Sequence, residues 1–252
     1  MEATRREALI EALKQSISKK QIIPFAPMRD YTTLKLGGPA EVLVRVSSVE
    51  DLTAALSAAH AVDAPVTVIG NGSNLLVRDG GISGLVLHVG EGFSAVSAPV
   101  PLPDGRFAIT AQGGATLTKL SNTAADHALA GLEFACGIPG TVGGAVFMNA
   151  GAYGGEMKDV VTGVTAVTMD GRTVAYTGEE MAFGYRKSRL GSEMAIVTSV
   201  TVCLSKGDGE TIRTTMREFN ARRREKQPVT LPSCGSTFKR PEGQFAGTLI
   251  DQ

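Results

Sequence analysis

The feature that most constrains the fold is a glycine-rich stretch at residues 137–156. Seven of its twenty residues are glycine, and most of the others are small or apolar. Glycine adds backbone entropy and has no side chain to pack, so we expect no regular helix or strand in this stretch. The apolar content argues against a solvated linker. Such a stretch suits backbone that turns N–H groups toward a flat or anionic ligand, although a tight crossing of two backbones gives the same pattern.

Composition narrows the class of protein. The 252 residues are 43% hydrophobic and 20% charged, with a formal net charge of zero, as in an ordinary globular protein of one large or two medium domains. The balanced charge argues against nucleic acid or a membrane surface as the main partner. Neither a secretory signal nor an apolar run of about 18 residues is visible, which predicts a cytoplasmic protein.

Cysteine and histidine form no recognisable site in the sequence. Cys136, Cys203 and Cys234 lie far apart without a C-x-x-C pair, which favours reduced thiols over a disulfide frame or a zinc site. The three histidines show no metal-ligand spacing, and none combines with a serine in a triad pattern. We therefore predict no metal and disfavour hydrolase chemistry.

Hydrophobic periodicity predicts an α+β chain that starts as β-α-β and continues with closely spaced strands. Helices are predicted near the N-terminus, after the capping residues Ser48 and Thr116, and between Gly209 and Pro228. Strands are predicted at 41–46, 65–69, 75–77, 85–89, 107–111, 160–169, 173–176 and 194–204. The dipeptide at 170–171, Asp-Gly, predicts a type I′ hairpin turn. Polar residues 205–209 predict a domain boundary, and no helix or strand is predicted at the C-terminus.

A second glycine-rich segment, Gly-Asn-Gly-Ser-Asn at 70–74, directly follows a predicted strand. Leu75 stands where the dinucleotide-binding fingerprint has its third glycine, and the Gly-Lys-Ser/Thr ending of a P-loop is absent. The segment can still present several N–H and hydroxyl donors to a pyrophosphate, although a plain turn fits equally well. Together with the stretch at 137–156, it favours a long, flat, anionic ligand such as FAD.

Two side chains fit chemical roles, and each has a simpler alternative. Arg186 follows Tyr185, and a guanidinium suits a developing oxyanion because it stays charged and donates from a rigid fork. An isolated arginine is more often a surface residue. Ser236 follows Gly235 but lacks the G-x-S-x-G pattern of a nucleophile elbow. Its hydroxyl can donate a proton within a site, whereas a turn serine is the more common case.

The last predicted helix is strongly basic. Its cationic residues are Arg213, Arg217, Arg222, Arg223, Arg224 and Lys226. The interleaved Glu218 and Glu225, and the absence of aromatic stacking partners, argue against an RNA-binding face. The pattern favours a solvated helix surface. Anion binding by one or two of these residues is the second most favoured interpretation.

In their order along the chain, several motifs resemble those of the UDP-N-acetylenolpyruvoylglucosamine reductase family. They are Tyr31-Thr-Thr-Leu-Lys-Leu-Gly-Gly-Pro, Gly70-Asn-Gly-Ser-Asn-Leu-Leu-Val, Gly137-Ile-Pro-Gly-Thr-Val-Gly-Gly-Ala, Asn149-Ala-Gly-Ala-Tyr-Gly, Tyr185-Arg186, Lys226-Gln-Pro and Gly235-Ser-Thr-Phe-Lys. The resemblance implies an α+β, FAD-binding fold of the vanillyl-alcohol-oxidase type. Two subdomains, at about 1–90 and 91–206, would hold the flavin, and 207–252 would start an incomplete C-terminal α+β substrate-binding domain.

The resemblance also implies the reaction. NADPH would be the co-substrate, FAD the noncovalent cofactor, and UDP-N-acetylglucosamine enolpyruvate the substrate, reduced to UDP-N-acetylmuramate for bacterial peptidoglycan. We expect a monomer whose partners are these small molecules, without nucleic acid or membrane. One alternative is a flavin oxidase of the same fold that reacts with oxygen. Another is a flavin- or UDP-sugar-binding protein without catalysis.

The same resemblance implies roles for single residues. Ser236 matches the proton donor, Arg186 the cation that stabilises the enolate, and Tyr185 and Lys226 the substrate-contacting positions. The implied cofactor-binding residues are Gly70, Asn71, Gly72, Ser73, Asn74, Gly137, Ile138, Pro139, Gly140, Thr141, Gly143, Gly144, Ala145 and Ile196.

The sequence departs from the family pattern in three places. The short segment after Arg186 leaves no room for the substrate-covering loop of one subclass, which implies the second subclass, with Arg213 or Arg217 helping to hold the substrate diphosphate. Arg240 replaces an asparagine of some members, and we include it among the substrate-binding candidates. The family's catalytic glutamate would lie beyond Gln252. We therefore expect an incomplete form of the enzyme that turns over slowly or not at all.

Overall fold

The computed structural model describes residues 2–238, 241, 243–244 and 246–251. Its helices are α1 (Ala3–Lys14), α2 (Val49–Ala61), α3 (Leu117–Asp126), α4 (Val142–Phe147), α5 (Leu190–Glu193), α6 (Gly209–Lys226) and α7 (Ala246–Asp251). Its strands are β1 (Ile22–Pro27), β2 (Pro39–Val46), β3 (Val66–Ile69), β4 (Ile82–Val89), β5 (Val100–Pro101), β6 (Phe107–Gln112), β7 (Leu129–Ala130), β8 (Gly151–Ala152), β9 (Gly155–Glu156), β10 (Val161–Thr168), β11 (Thr173–Thr177) and β12 (Ala195–Lys206). No described helix has the length and apolar content needed to cross a membrane.

The first sheet has the strand order β1-β2-β4-β3, in which β2, β4 and β3 run parallel and β1 is antiparallel to β2. Helices α1 and α2 cover one face, where Leu9 and Leu52 pack against Val44 and Leu87. Each fully buried leucine contributes roughly 1.5–3 kcal/mol. Because β3 and β4 are parallel, their carboxyl ends lie at the same edge. Residues 70–74, which we call the first loop, leave the sheet at that edge.

The second sheet is antiparallel, in the order β11-β10-β12-β6-β5, and β7 pairs with the end of β12. Alternate residues of β12, among them Val200 and Val202, enter a core that also contains Leu117, Leu120 and Val146 of α3 and α4. Helix α6 packs beside α3 through the buried side chains of Ile212 and Met216. Residues 137–141, which we call the second loop, directly precede α4 and contact the first loop.

Most predicted elements are confirmed, and so are both predicted helix caps. The Ser48 hydroxyl accepts from the Asp51 N–H at 3.1 Å, and the Thr116 hydroxyl accepts from the Lys119 N–H at 3.1 Å. These bonds satisfy N–H groups that the first helical turn leaves without partners.

The expectation of no regular element in the glycine-rich stretch is wrong, because α4 occupies its centre. The Thr141 hydroxyl caps this helix and accepts from the Gly144 N–H at 3.3 Å. A Cβ on Gly143 would come within 3.0 Å of the Gly113 carbonyl, so glycine serves here to let the helix approach β6 closely. Burial of Val142 and Val146 offsets the low helix propensity of glycine.

Three smaller predictions also fail. Residues 75–77 form no strand, and Val77 instead packs into the core on the other face of the first sheet. The hairpin turn is not type I′, because only Gly171 of the predicted pair has a positive φ, and the Gly171 N–H closes a three-residue loop on the Thr168 carbonyl at 2.8 Å. Residues 246–251 form the short helix α7 where no element was predicted.

Candidate functional site

The first and second loops lie against each other. The Asn71 Nδ2 donates to the Pro139 carbonyl at 3.2 Å. A Cβ on Gly70 would stand 2.3 Å from the Thr141 hydroxyl oxygen, closer than real Cβ atoms approach any neighbour. Only glycine therefore allows the two loops to come this near. The structure thus brings together the two segments that the sequence assigns to the cofactor.

The loops carry backbone donors that the protein does not use. Among the described residues, the N–H groups of 71–74 donate to no protein acceptor, and neither do those of Gly140 and Thr141. Successive unpaired N–H groups form a concave site for an anion, and an acceptor there removes the cost of leaving them unsatisfied. The pyrophosphate of a dinucleotide such as FAD supplies such acceptors, so the residues present fit the cofactor that the resemblance implies.

A cavity of about 640 Å³ opens beside the first loop, and Asn71 of that loop forms part of its wall. Another wall is formed by His88 and Tyr31, whose rings meet edge to face with centroids 5.1 Å apart. Burial, assisted by the Arg45 charge, lowers the pKa of His88, so the imidazole is neutral at pH 7. The cavity is large enough for a ligand of nucleotide size.

Tyr185 and Arg186 form the tip of a tight turn. Gly184 and Lys187 exchange both backbone hydrogen bonds, at 3.0 and 3.2 Å, and Arg186 has the left-handed φ of 55°. The Arg186 guanidinium lies 5.3 Å from the Tyr185 ring centroid and forms no ion pair within the described residues. It is therefore an exposed cation with its charge available to a ligand.

The turn is bonded to the glycine-rich stretch. The Asn149 Nδ2 donates to the Gly184 carbonyl at 3.2 Å and to the Glu156 Oε2 at 2.9 Å. The hydrogen bond from Lys158 lowers the pKa of Glu156. The hydrogen bond from Asn149 and the charge of Arg186 lower it further, whereas burial acts to raise it. Glu156 is therefore a carboxylate at neutral pH, near the Arg186 turn.

The segment that carries Ser236 lies beside the first loop. The Ser233 N–H donates to the Thr33 carbonyl at 3.2 Å, and the Thr33 hydroxyl donates to the Ser233 carbonyl at 2.5 Å. Gly235, with a φ of 80°, places its Cβ position 3.8 Å from the Ser73 carbonyl. The Ser236 hydroxyl is exposed, and no hydrogen bond joins it to Arg186 or Lys226 in the described part of the chain.

The basic residues of α6 differ in what they contact. Arg213 pairs with Asp126 at 2.8 Å, and Arg217 pairs with Glu210 at 2.6 Å. Arg223 instead faces the start of the second loop, where its Cδ lies 3.2 Å from the Cβ position of Gly137. Burial raises the pKa of the Cys136 thiol, and the charge of Arg223 partly offsets this effect.

Three further candidates, Ile196, Lys226 and Arg240, have no contact with these loops to report from the described residues. Ile196 is 5% exposed and pairs with Val167 in β10, where both enter the core shared with α1 and α2. Lys226 ends α6 and is exposed. Arg240 lies outside the described residues. No three His, Cys, Asp or Glu side chains of the described ranges are grouped closely enough to hold a metal ion.

Asn149, Glu156 and Arg223 have no individual role that the sequence predicts. The motif that begins at Asn149 was visible, but nothing local shows that its amide reaches a carbonyl 35 residues away. Arg223 was one of several arginines on α6, and only the packing of that helix shows which one faces the second loop.

A family model described as an FAD binding domain matches residues 40–177. The UDP-N-acetylenolpyruvoylglucosamine reductase of Exiguobacterium sibiricum is 44% identical over 244 residues, which is 97% of this chain and 78% of that protein. The enzyme of the same name from Lactococcus lactis is 46% identical over 226 residues, which is 90% of this chain and 73% of that protein.

Solved structures agree with these sequence relatives. The UDP-N-acetylenolpyruvylglucosamine reductase of Thermus caldophilus matches with a TM-score of 0.76 and 39% identity, covering 91% of this chain and 78% of that one. A VAO-type flavoprotein from Myceliophthora thermophila matches with a TM-score of 0.56 and 14% identity, covering 82% and 48%. The second match shows the fold alone, and it is the predicted vanillyl-alcohol-oxidase type.

Proposed function

Because the chain belongs to the UDP-N-acetylenolpyruvoylglucosamine reductase family, we propose that Arg186 and Ser236 carry the second half of its reaction, in which the enolpyruvyl group is reduced. The protein is an FAD-dependent oxidoreductase that uses NADPH to convert UDP-N-acetylglucosamine enolpyruvate to UDP-N-acetylmuramate. Its relatives favour this activity over the flavin oxidase and the non-catalytic binding protein. Bound FAD supplies hydride transfer, from NADPH to the enolpyruvyl double bond.

The observation that carries the proposal is the run of N–H groups in the first loop that find no acceptor among the described residues, in a loop packed against the second loop. These donors, with those of Gly140 and Thr141, would hold the pyrophosphate. The other end of the same glycine-rich stretch is bonded through Asn149 to the turn that bears Arg186. One continuous segment therefore spans from the cofactor loops to the proposed catalytic cation.

The proposed roles of Arg186 and Ser236 follow from where charge and protons must go. Hydride addition to the enolpyruvyl group places extra negative charge on its carboxylate, and a fixed guanidinium stabilises that charge electrostatically. The α-carbon then requires a proton, which the Ser236 Oγ can donate if it lies within hydrogen-bond reach. We propose that Lys226 and Tyr185 bind the substrate, and that Arg240 does so as well.

We expect the Gly70→Ala variant to bind FAD at least about tenfold more weakly. The added Cβ pushes Thr141 and the second loop away from the first loop. The loss of a single hydrogen bond to a charged group accounts for a factor of about ten in affinity. Gly80→Ala is the matched control, since a Cβ there meets nothing within 4 Å. Flavin fluorescence after heat denaturation measures the loading. The flavin should appear in the supernatant, as noncovalent binding requires, and flavin retained on the precipitated protein would contradict that.

We propose that Arg223 contributes more to binding the substrate diphosphate than Arg213 or Arg217 does. The role of Arg213 or Arg217 in holding the diphosphate, inferred from the sequence, stays a prediction. Arg223→Gln keeps the side-chain stem against Gly137 and removes the charge, so binding of UDP-N-acetylmuramate should weaken about tenfold. Arg217→Gln, in which a cation already paired with Glu210 is lost, is the matched control, with an expected change below about twofold. Calorimetric titration decides, and a larger loss in Arg213→Gln or Arg217→Gln would support the original assignment.

We also propose the organisation and setting of the protein. Residues 1–90 and 91–206 would form the two flavin-binding subdomains, and 207–252 would belong to the substrate-binding domain. The separate sheets of the first two regions support the division between them, although Val167 and Ile196 of the second sheet also enter the core of the first. The neutral net charge supports a protein without nucleic-acid or membrane partners. We propose that it is a cytoplasmic monomer.

A further inference from the structure

Asn149 has a backbone conformation that glycine usually provides. Its φ is 42°, and it directly follows the C-cap of α4. The Asn149 N–H donates to the Val146 carbonyl at 3.2 Å, and the Ala150 N–H donates to the Ala145 carbonyl at 2.8 Å. These two bonds define a Schellman motif, in which glycine is the commonest residue at the left-handed position. The backbone alone therefore does not explain why an asparagine stands here.

Each polar atom of the Asn149 side chain has a hydrogen-bond partner. It is 2% exposed. Its Nδ2 donates to the Glu156 Oε2 at 2.9 Å and to the Gly184 carbonyl at 3.2 Å, and its Oδ1 accepts from the Lys158 N–H at 3.0 Å. The amide has two N–H donors and one carbonyl acceptor, and each finds a partner. One buried amide thus joins the end of α4 to residues 156–158 and to Gly184.

The bond to Gly184 fixes the base of the turn that carries Arg186. The Gly184 carbonyl also accepts from the Lys187 N–H, so it is held from both sides. Arg186 keeps a left-handed φ of 55°, a conformation that is unfavourable for a residue with a Cβ. Such a residue persists where neighbouring contacts determine its position. The Asn149 amide is one of those contacts.

The bond to Glu156 fixes a negative charge near the same turn. Glu156 also pairs with the Lys158 Nζ at 2.9 Å, and its backbone N–H donates to Asp159. The charge of Arg186 acts on this carboxylate. The position of Glu156 therefore contributes to the field in which the guanidinium is oriented.

We propose that Asn149 is a positioning residue for the reductase reaction, because its amide holds the Tyr185–Arg186 turn and the Glu156 carboxylate in a fixed relation. Arg186 then meets the substrate carboxylate in one orientation. This inference rests on the proposed role of Arg186, but the tether itself is testable without any activity.

Limited trypsin digestion tests the tether. Asn149→Gly keeps the left-handed backbone and removes all three side-chain bonds. Cleavage after Arg186 and Lys187, relative to cleavage after the exposed Arg172 in the β10–β11 hairpin, should rise about tenfold over the wild-type protein. Thr198→Val is the control, because it removes another buried hydrogen bond, which joins Thr198 of β12 to the Thr165 carbonyl of β10 and does not involve the turn. An unchanged ratio in Asn149→Gly, or an equal rise in Thr198→Val, overturns the proposal.

Stopped-flow kinetics test the consequence for the reaction. In Asn149→Gly, reduction of bound flavin by NADPH should stay within about twofold of wild type, while reoxidation by the enolpyruvyl substrate falls about 10- to 100-fold at saturating substrate, as expected for a displaced catalytic group. Equal slowing of both half-reactions, or no slowing, overturns the proposal. If the wild-type protein is not reoxidised by this substrate while the tryptic ratio changes as expected, the proposed function fails and the tether stands.

Asn149→Asp gives a signature that a purely structural residue would not. The new carboxylate faces Glu156, with Lys158, Asp159 and Arg186 nearby, and two carboxylates in one site raise one of their pKa values. The protonated form can donate one hydrogen bond where the amide donates two, so it restores part of the tether. Reoxidation in this variant should therefore recover as pH falls through the raised pKa, whereas Asn149→Gly shows no such recovery. A pH profile parallel to that of Asn149→Gly contradicts the proposal.

Discussion

Replacing Ser236 by alanine is expected to slow reoxidation of the reduced flavin by the enolpyruvyl substrate about 10²- to 10⁴-fold, the usual contribution of general acid catalysis. Reduction of the flavin by NADPH should stay within about twofold of wild type, because that step takes no proton from Ser236. Ser236→Cys should retain more activity than Ser236→Ala, since a thiol is still a proton donor.

The structure supplies a control for this prediction. Thr237 is the neighbouring exposed hydroxyl on the same segment, which is anchored through Ser233 to Thr33. Thr237→Ala should leave both half-reactions nearly unchanged. Stopped-flow traces that show equal slowing of both half-reactions in Ser236→Ala would mean that Ser236 is a turn residue, the alternative that the sequence left open.

Replacing Arg186 by glutamine is expected to slow the same half-reaction about 10²- to 10³-fold, the cost of removing one preorganised electrostatic group. Arg186 is exposed and without an ion pair in the described residues, so its charge is not committed elsewhere. Arg186→Lys should recover part of the rate, because the ammonium keeps the charge and loses the planar fork.

The left-handed φ of Arg186 allows catalysis and stability to be separated. Arg186→Gly relieves the backbone strain at a φ of 55° and should raise the melting temperature, while it slows reoxidation to the same degree as Arg186→Gln. Lys187→Gln removes the adjacent cation of the same turn and should change the rate little. If reoxidation is as slow in Lys187→Gln as in Arg186→Gln, both results are explained by a general attraction between the positive turn and the anionic substrate. A positioned guanidinium would then not be required.

Periodicity in the sequence predicted those elements whose pattern is local. The alternation in β12 and the spacing of Ile212 and Met216 in α6 report directly which side faces the core. Helix α4 was missed because its glycines are unfavourable in an isolated helix. What stabilises it is the burial of Val142 and Val146, which the close approach of Gly143 to Gly113 allows, and no local pattern contains that contact.

The candidate site was only partly predictable for the same reason. The first and second loops could be named as ligand-binding segments from their glycines, but their contact through Asn71 and Pro139 joins residues 68 positions apart. The roles of Arg186 and Ser236 came from family motifs and not from spacing, and they stay predictions. The Asn149 amide also joins residues 156–158 to Gly184, which lies 35 positions away from it along the chain.

The most direct test of the whole account is an anaerobic titration of the purified protein, followed by its flavin absorbance. We expect a yellow protein that NADPH bleaches, and whose colour returns, however slowly, when UDP-N-acetylglucosamine enolpyruvate is added, with one UDP-N-acetylmuramate formed for each NADPH consumed. A colourless protein that takes up no FAD would contradict it. So would a reduced flavin that oxygen reoxidises but the enolpyruvyl substrate does not.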